Sequence, residues 1–316
     1  MQPIIRSTII RSNSQKRNLG AYMRKHWLFY LMLLPALLDV IVFRYIPMYG
    51  VQIAFRQYKP KLGIWGSEWV GLKYFYQFAS SPLFWQIMRN TLLLSLSNLV
   101  FSFPAPIFLA LLLNEVKNAR AKKIVQMVTY MPHFISTVAV VGLVNLMLDR
   151  NTGILNLART ALGFDAVNYM ATSGAFRPIY VLSDIWQHTG WGAIIYIAAL
   201  SSVDPEIVEA AHIDGVSRIQ KILYIDIPTI APTIITLLIL QTGNILSVGF
   251  EKTFLMQNDL VIDVAEVIST YTYKNGILKG QFSYTSAIGL FNSVINAIIL
   301  VIVNSVARKL GDTSLW

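Results

Sequence analysis

The sequence predicts an all-α membrane protein: six transmembrane helices, with a short polar helical elbow between the fourth and fifth. Three observations predict it. The 316 residues are 55% hydrophobic and only 13% charged, about half the charge of a soluble domain. Six segments are long and apolar enough to cross a hydrocarbon core, which takes about 20 residues. Between two of them stands EAAHIDGVSRIQKILYIDIP, residues 209–228, a polar interruption punctuated by Gly215 and closed by Pro228.

The expected spans are 27–49, 88–113, 124–148, 178–203, 228–250 and 285–307. The first has a long polar, basic lead of 26 residues and no clean A-x-A site, so it reads as a retained span rather than a cleaved signal. Pro104, Pro106, Pro132 and Pro232 sit in or near spans and invite kinks.

Net charge is +10. Its distribution follows the positive-inside rule rather than nucleic-acid binding. Arg6, Arg11, Lys16, Arg17, Arg24 and Lys25 precede span one. Lys117, Arg120, Lys122 and Lys123 follow span two, and Arg308 and Lys309 follow span six. With six spans both termini share one side, so all three clusters fall in the cytoplasm, and so does the elbow. The expected organisation is a basic tail (1–26), a membrane domain (27–307) carrying the elbow (204–227), and a C-terminal tail (308–316). No cysteine is present, which excludes disulfides, thiol nucleophiles and Cys-ligated metals.

The elbow carries its own helix signals. Asp204 is an N-cap, Pro205 fits the first helical position and Glu206 complements the dipole. The helix should end near Ile213, where Asp214-Gly215 can turn left-handed. Ser217 and Gln220 match a capping box for a second short helix, which Pro228 is expected to break. Glu206 and Glu209 share a face, and Ala210 and Ala211 offer small side chains against which another surface can close.

The spacing E-A-A, three residues, G, nine residues, I-x-[LI]-P resembles the signature of binding-protein-dependent ABC importer permeases. Glu209, Ala210, Ala211, Gly215, Ile225 and Pro228 carry it, with Ile227 where the family usually has Leu. The flanking D-P-E-I-V and P-x-x-x-P resemble the carbohydrate branch. The tract from Gly249-Phe250 to Tyr271-Thr272-Tyr273 is similar to its polysaccharide members. The resemblance implies a type I fold in a bacterial cytoplasmic membrane, with the elbow as the cytoplasmic coupling helix that docks on an ATPase. Glu206, Glu209, Ala210, Ala211, Asp214, Gly215, Ile225 and Pro228 would form that contact. It further implies two ATP-binding subunits holding the ATP and Mg, a second permease of different sequence, and an extracytoplasmic solute-binding protein.

The chain itself has no P-loop, no H-E-x-x-H, no G-x-S-x-G and no metal-ligand spacing, so no catalysis and no cofactor are expected on it. Polar groups inside spans tend to face partners or a water-filled path. Asn145, Gln187, His188, Gln241, Asn244, Asn292 and Asn296 are the expected path residues, with Asn98 a further amide. Amides suit sugar hydroxyls because they both donate and accept; Trp186, Trp191 and Tyr196 add faces for stacking. The same amides also bind helices to one another. Asp39 is expected to pair with Arg44. No buried acid–base chain is evident, which disfavours the main rival, a stand-alone carrier or channel. A docking scaffold and a membrane enzyme are weaker rivals.

Overall fold

The computed structural model describes residues 23–310. The basic tail up to residue 22 and the C-terminal residues 311–316 lie outside the described residues. The chain divides into two compact units, Met1–Gln52 and Ile53–Trp316. In the first, helix α1 (Trp27–Phe55) begins; its side chains are exposed from Trp27 to Tyr49, as an apolar helix facing lipid or a partner would be. None of the ion pairs among the described residues joins Asp39 to Arg44. Residues five apart on an α-helix point about 140° away from one another, and Arg44 lies inside a π turn at Ile41–Tyr45.

The second unit opens with a hairpin, β1 (Arg56–Lys59) antiparallel to β2 (Ser67–Trp69). The Arg56 guanidinium lies 5.6 Å from the Trp65 ring centre and 5.4 Å from that of Trp69. Helix α2 (Lys73–Ala79) follows. Then come α3 (Phe84–Glu115), α4 (Ala119–Phe134), α5 (Thr137–Leu148), α6 (Ile154–Ala161) and α7 (Ser173–Leu200). The elbow supplies α8 (Pro205–Ile213), which leads into α9 (Arg218–Thr242). Helices α10 (Phe250–Met256) and α11 (Ile268–Tyr273) precede the terminal α12 (Phe282–Leu310).

Among the described residues, α1, α3, α9 and α12 are long and apolar enough to span a membrane, and up to six spans result if each of two bent pairs counts as one. Two expectations need correction. The segment 124–148 is not one straight helix: α4 and α5 meet at 102°. Pro132 enters a tight turn there, and Ser136 caps α5 by accepting from the Ala139 amide at 3.3 Å. The fifth span ends early. Helix α9 stops at Thr242, so Asn244 sits in the turn beyond it rather than on a helical face.

Pro228 does not break the chain either. One π turn interrupts α1, α3 and α9, at Ile41–Tyr45, Asn98–Ser102 and Ile222–Asp226. Each ends two residues before a proline: Pro47, Pro104 and Pro228. A helical proline lacks an N–H and its ring collides with the carbonyl four residues back. Those carbonyls, of Phe43, Val100 and Tyr224, lie in the middle of the three π turns. The wider i→i+5 ring makes room for the pyrrolidine and keeps the helix continuous.

The core forms round α7. Leu94, Val141, Phe176, Tyr180, Val248 and Met256 pack together at one end. Ala110, Leu111, Ala193, Tyr196, Leu200 and Ile230 pack at the other. A third cluster joins Phe78, Ile87, Ile268, Tyr284 and Ile288. Polar latches fasten the connections. Asn90, buried on α3, donates to the carbonyls of Asp263 (2.8 Å) and Glu266 (3.1 Å) and accepts from Arg177 Nη2 (3.1 Å). Asn156, 1% exposed, donates to Asp149 O and Val167 O and accepts from Val167 N.

Candidate functional site

Two features carry the site: the elbow and a pair of adjoining cavities. In the elbow, Asp204 Oδ1 accepts from the Glu206 amide at 2.9 Å and starts α8 at an angle of 82° to α7. At the other end Gly215 takes φ +71°. The Val216 amide reaches Ala211 O (3.0 Å) and the Gly215 amide reaches His212 O (3.3 Å), the paired closure of a Schellman turn. Ser217 and Gln220 bond reciprocally in a capping box. These are local signals, and each is where the sequence puts it.

Glu206, Glu209, Ala210, Asp214, Gly215 and Pro228 are exposed and Ile225 is half-buried. Ala211 is different. It is buried and faces the chain's own interior, so only Ala210 presents a small side chain outward. Large apolar side chains extend the exposed surface: Ile213, Ile219 and Tyr224 are 86%, 71% and 76% exposed. The sequence reading did not single these out, although isoleucine between charged residues is a usable signal.

The cavities lie where α3, α9, α10, α11 and α12 meet. One, of about 290 Å³, is lined by Ser95, Asn98, Gln241, Asn244, Ser247 and Val248, among others. The other, of about 670 Å³, shares Ser247 and Val248 and adds Phe250, Thr272, Tyr273 and Asn292. Thus Asn98 lines one space with Gln241 and Asn244, which are distant from it in sequence, and Asn292 lines the next. Thr272 Oγ1 and Asn292 Oδ1 are buried without a hydrogen-bond partner in the chain. Aromatic faces stand beside them, Phe250 and Tyr273 being 4.9 Å apart. Unpartnered acceptors beside ring faces fit a ligand rich in hydroxyls.

The other expected path residues are placed differently. Gln187 is 4% exposed and donates to Ile135 O at 3.0 Å. Asn296 accepts from the Leu246 amide and donates to Ser247 Oγ, both at 3.1 Å; it shapes the wall shared by the cavities. Tyr196 is 3% exposed within the α3–α7–α9 core, so its ring offers no face for stacking. Asn145 is exposed beside a separate cavity of about 350 Å³ with Asp149, Arg150 and Asn258.

His188 belongs to a chain of titratable groups that the sequence reading did not see. Lys252 Nζ is 3.4 Å from Asp184 Oδ1. The same oxygen is 3.8 Å from His188 Nε2, and His188 Nδ1 is 3.2 Å from His133 Nδ1. The His133 ring stacks on Trp191 at 4.6 Å. The expectation was that no buried acid–base chain is evident; four groups from α4, α7 and α10 do assemble a chain, buried at Lys252 and about half exposed at His188. Lys252 is buried, which holds its ammonium below the ordinary lysine range despite Asp184. Among the described residues no cluster of metal-ligating side chains occurs.

A family profile described as "Binding-protein-dependent transport system inner membrane component" matches residues 89–312. The chain belongs to this family. The permease is 41% identical to the polygalacturonan/rhamnogalacturonan transport system permease protein YteP of Bacillus subtilis (strain 168) over 99% of this chain and 98% of the relative. It is 44% identical to protein LplB of the same organism, over 94% and 93%. A solved bacterial ABC transporter that imports the acidic polysaccharide alginate contains a chain with TM-score 0.85 and 40% identity, covering 92% of the permease and 98% of that chain. A second structure, the alginate transporter in complex with its alginate pentasaccharide-bound periplasmic protein, gives 0.87 and 39%, covering 94% and 99%.

Proposed function

We propose that this permease is one transmembrane subunit of an ATP-driven importer for an oligo- or polysaccharide, and that it contributes one half of the path. The observation that carries the coupling half is the elbow. An exposed helix with Glu206 and Glu209 on it leaves α7 at 82° and is closed by the Gly215 turn. In this reading α8 is the cytoplasmic coupling helix, the bent pair α4–α5 and α7 are spans, making six with α1, α3, α9 and α12, and both termini are cytoplasmic. Two separate ATPase subunits holding ATP and Mg receive the elbow. A second permease completes the path, and a binding protein delivers sugar from outside. ATP-driven closure displaces the elbow, the spans rock, and access to the path alternates.

The cavities support carbohydrate as cargo: amides from α3, α9 and α12 and the turn after α9 converge beside Phe250 and Tyr273. The names of the relatives point to uronate-rich glycans as the first substrates to try. The test is reconstitution in liposomes with the partner permease, ATPases and binding protein. Labelled oligogalacturonide uptake should require ATP and all partners. Uptake by this chain alone, without ATP, would overturn the reading.

A second reading has one observation behind it. The Lys252–Asp184–His188–His133 chain is what a proton-coupled carrier would need. Its mark would be uptake by the isolated chain driven by a pH gradient.

A further inference from the structure

The far end of the elbow is tied to a helix that the resemblance motif does not include. Glu115 is the last residue of α3, and Lys221 lies in the first turns of α9. Lys221 Nζ stands 2.8 Å from Glu115 Oε1 and 3.1 and 2.9 Å from the two carboxylate oxygens of Asp226. Asp226 is 1% exposed and Lys221 and Glu115 are 12% and 19% exposed at the side chain. A carboxylate buried as deeply as Asp226 keeps its charge only while a cation stays beside it, so Lys221 is held to Asp226 and its second contact draws Glu115 along with them.

The π turn at Ile222–Asp226 makes the arrangement possible. In an α-helix, residues five apart point about 140° away from one another. The i→i+5 ring sets position 226 above position 221, and the ammonium then bridges its own helix and α3. Both tied helices also carry cavity walls further along: Ser95 and Asn98 near the middle of α3, Gln241 at the far end of α9.

We infer that Lys221, clamped between Glu115 and Asp226, is a positioning residue that makes α3 and α9 move as one body, so that displacement of the elbow reaches both walls of the cavity. This rests on the importer reading above. Without the clamp the elbow would swing and α3 would lag behind it.

The test measures ATP hydrolysis and sugar uptake from the same proteoliposomes of the complete importer. K221M should hydrolyse ATP at about the wild-type rate while sugar moved per ATP falls about tenfold, within the usual range for coupling between sites. K221R should retain most coupling, because it keeps the charge between the two carboxylates. K221M strands a buried Asp226 and can fail to assemble. The neutral triple variant E115Q/K221M/D226N removes all three charges together and is better tolerated; it should assemble and show the same uncoupling. Wild-type sugar-to-ATP ratios in the triple variant, or a K221R ratio as low as that of K221M, would overturn the clamp. Wild-type vesicles without ATP-driven uptake would sink the importer reading, and the clamp with it.

Discussion

Gln187 on α7 donates its amide to the carbonyl of Ile135 at 3.0 Å, at the corner where α4 and α5 part by 102°. The corner leaves backbone groups without helical partners, and inside a membrane no water can meet them. An amide expected to face substrate is thus a brace for the corner between α4 and α5. Gln187→Leu should lower stability by about 1 kcal/mol, the cost of one lost hydrogen bond at a partly buried carbonyl. Thermal unfolding of the detergent-solubilised importer checks it. An unshifted melting temperature would show that the corner is held without Gln187.

Gly190, one turn along α7, has a different necessity. A Cβ there would run into the Thr129 carbonyl and stand 2.9 Å from Tyr130 N. Both are backbone atoms of α4 and cannot rotate aside, so α7 and α4 must separate. Gly190→Ala should cost about 3 kcal/mol, the upper end for overpacking, and should cut the monodisperse fraction on size exclusion. By contrast, Gly142 has no atom within 4 Å of such a Cβ, and Gly142→Ala serves as the neutral control.

How much of this was legible follows from the range of each signal. The elbow's caps were readable because Asp204, Gly215 and Ser217 act within four residues. Spans were readable from composition. The π turns of α1, α3 and α9 were not: each stands two residues before a proline, and proline in a sequence reads as a kink or a break. The corner at Ile135 left Pro132 and Ser136 as local clues, but the apolar run concealed them. Asn90, Lys221 and Asp184 bond to residues 68 to 176 positions away, which no local pattern encodes. Intramembrane amides were found as a class. Which of them line a cavity (Gln241, Asn244, Asn292) and which are braces (Gln187, Asn296) is decided by packing alone.

Gly215 stands in open space, with nothing within 4 Å of a Cβ, so a substitution there acts through the backbone only. Its φ of +71° costs a non-glycine residue about 1–2 kcal/mol. Gly215→Val should therefore unwind the turn and reduce ATP-driven uptake while leaving membrane insertion intact. Gly215→Asn, which tolerates the left-handed region, should retain most uptake. Equal uptake by the two variants would remove the turn from the mechanism.

Asp149 caps the loop after α5. Its Oδ1 accepts from Thr152 N and Oγ1, each at 2.8 Å, and from Asn151 N at 2.9 Å. Hydrogen bonds from Thr152, then Asn151, hold its carboxyl below the ordinary aspartate range. A lowered carboxyl stabilises the turn above its unfolded-state value and loses that contribution as pH falls through the folded value. Amide exchange at Asn151 and Thr152 should stay slow at mildly acidic pH, after correction for intrinsic rates, and quicken only below the usual aspartate range. Asp149→Asn should abolish that dependence.

Pro228 offers the sharpest separation of stability from coupling. It sits two residues beyond the Ile222–Asp226 π turn, and its ring is the reason the Tyr224 carbonyl cannot close an ordinary turn. Pro228→Ala restores the missing N–H and removes the ring, so the segment is free to rewind as α-helix. Rewinding turns everything before it by about 100°, one residue's worth of helix. Lys221 then leaves the face of Asp226, and α8 points elsewhere relative to α9. Helix propensity favours alanine over proline by about 3 kcal/mol in a helix interior, and parting Lys221 from the buried Asp226 costs about as much, so the variant should melt close to the wild type. Sugar moved per ATP should nonetheless fall, as in K221M. A variant that is at least as stable and fully coupled would mean the π turn is an accident of accommodating proline rather than the joint that aims the elbow.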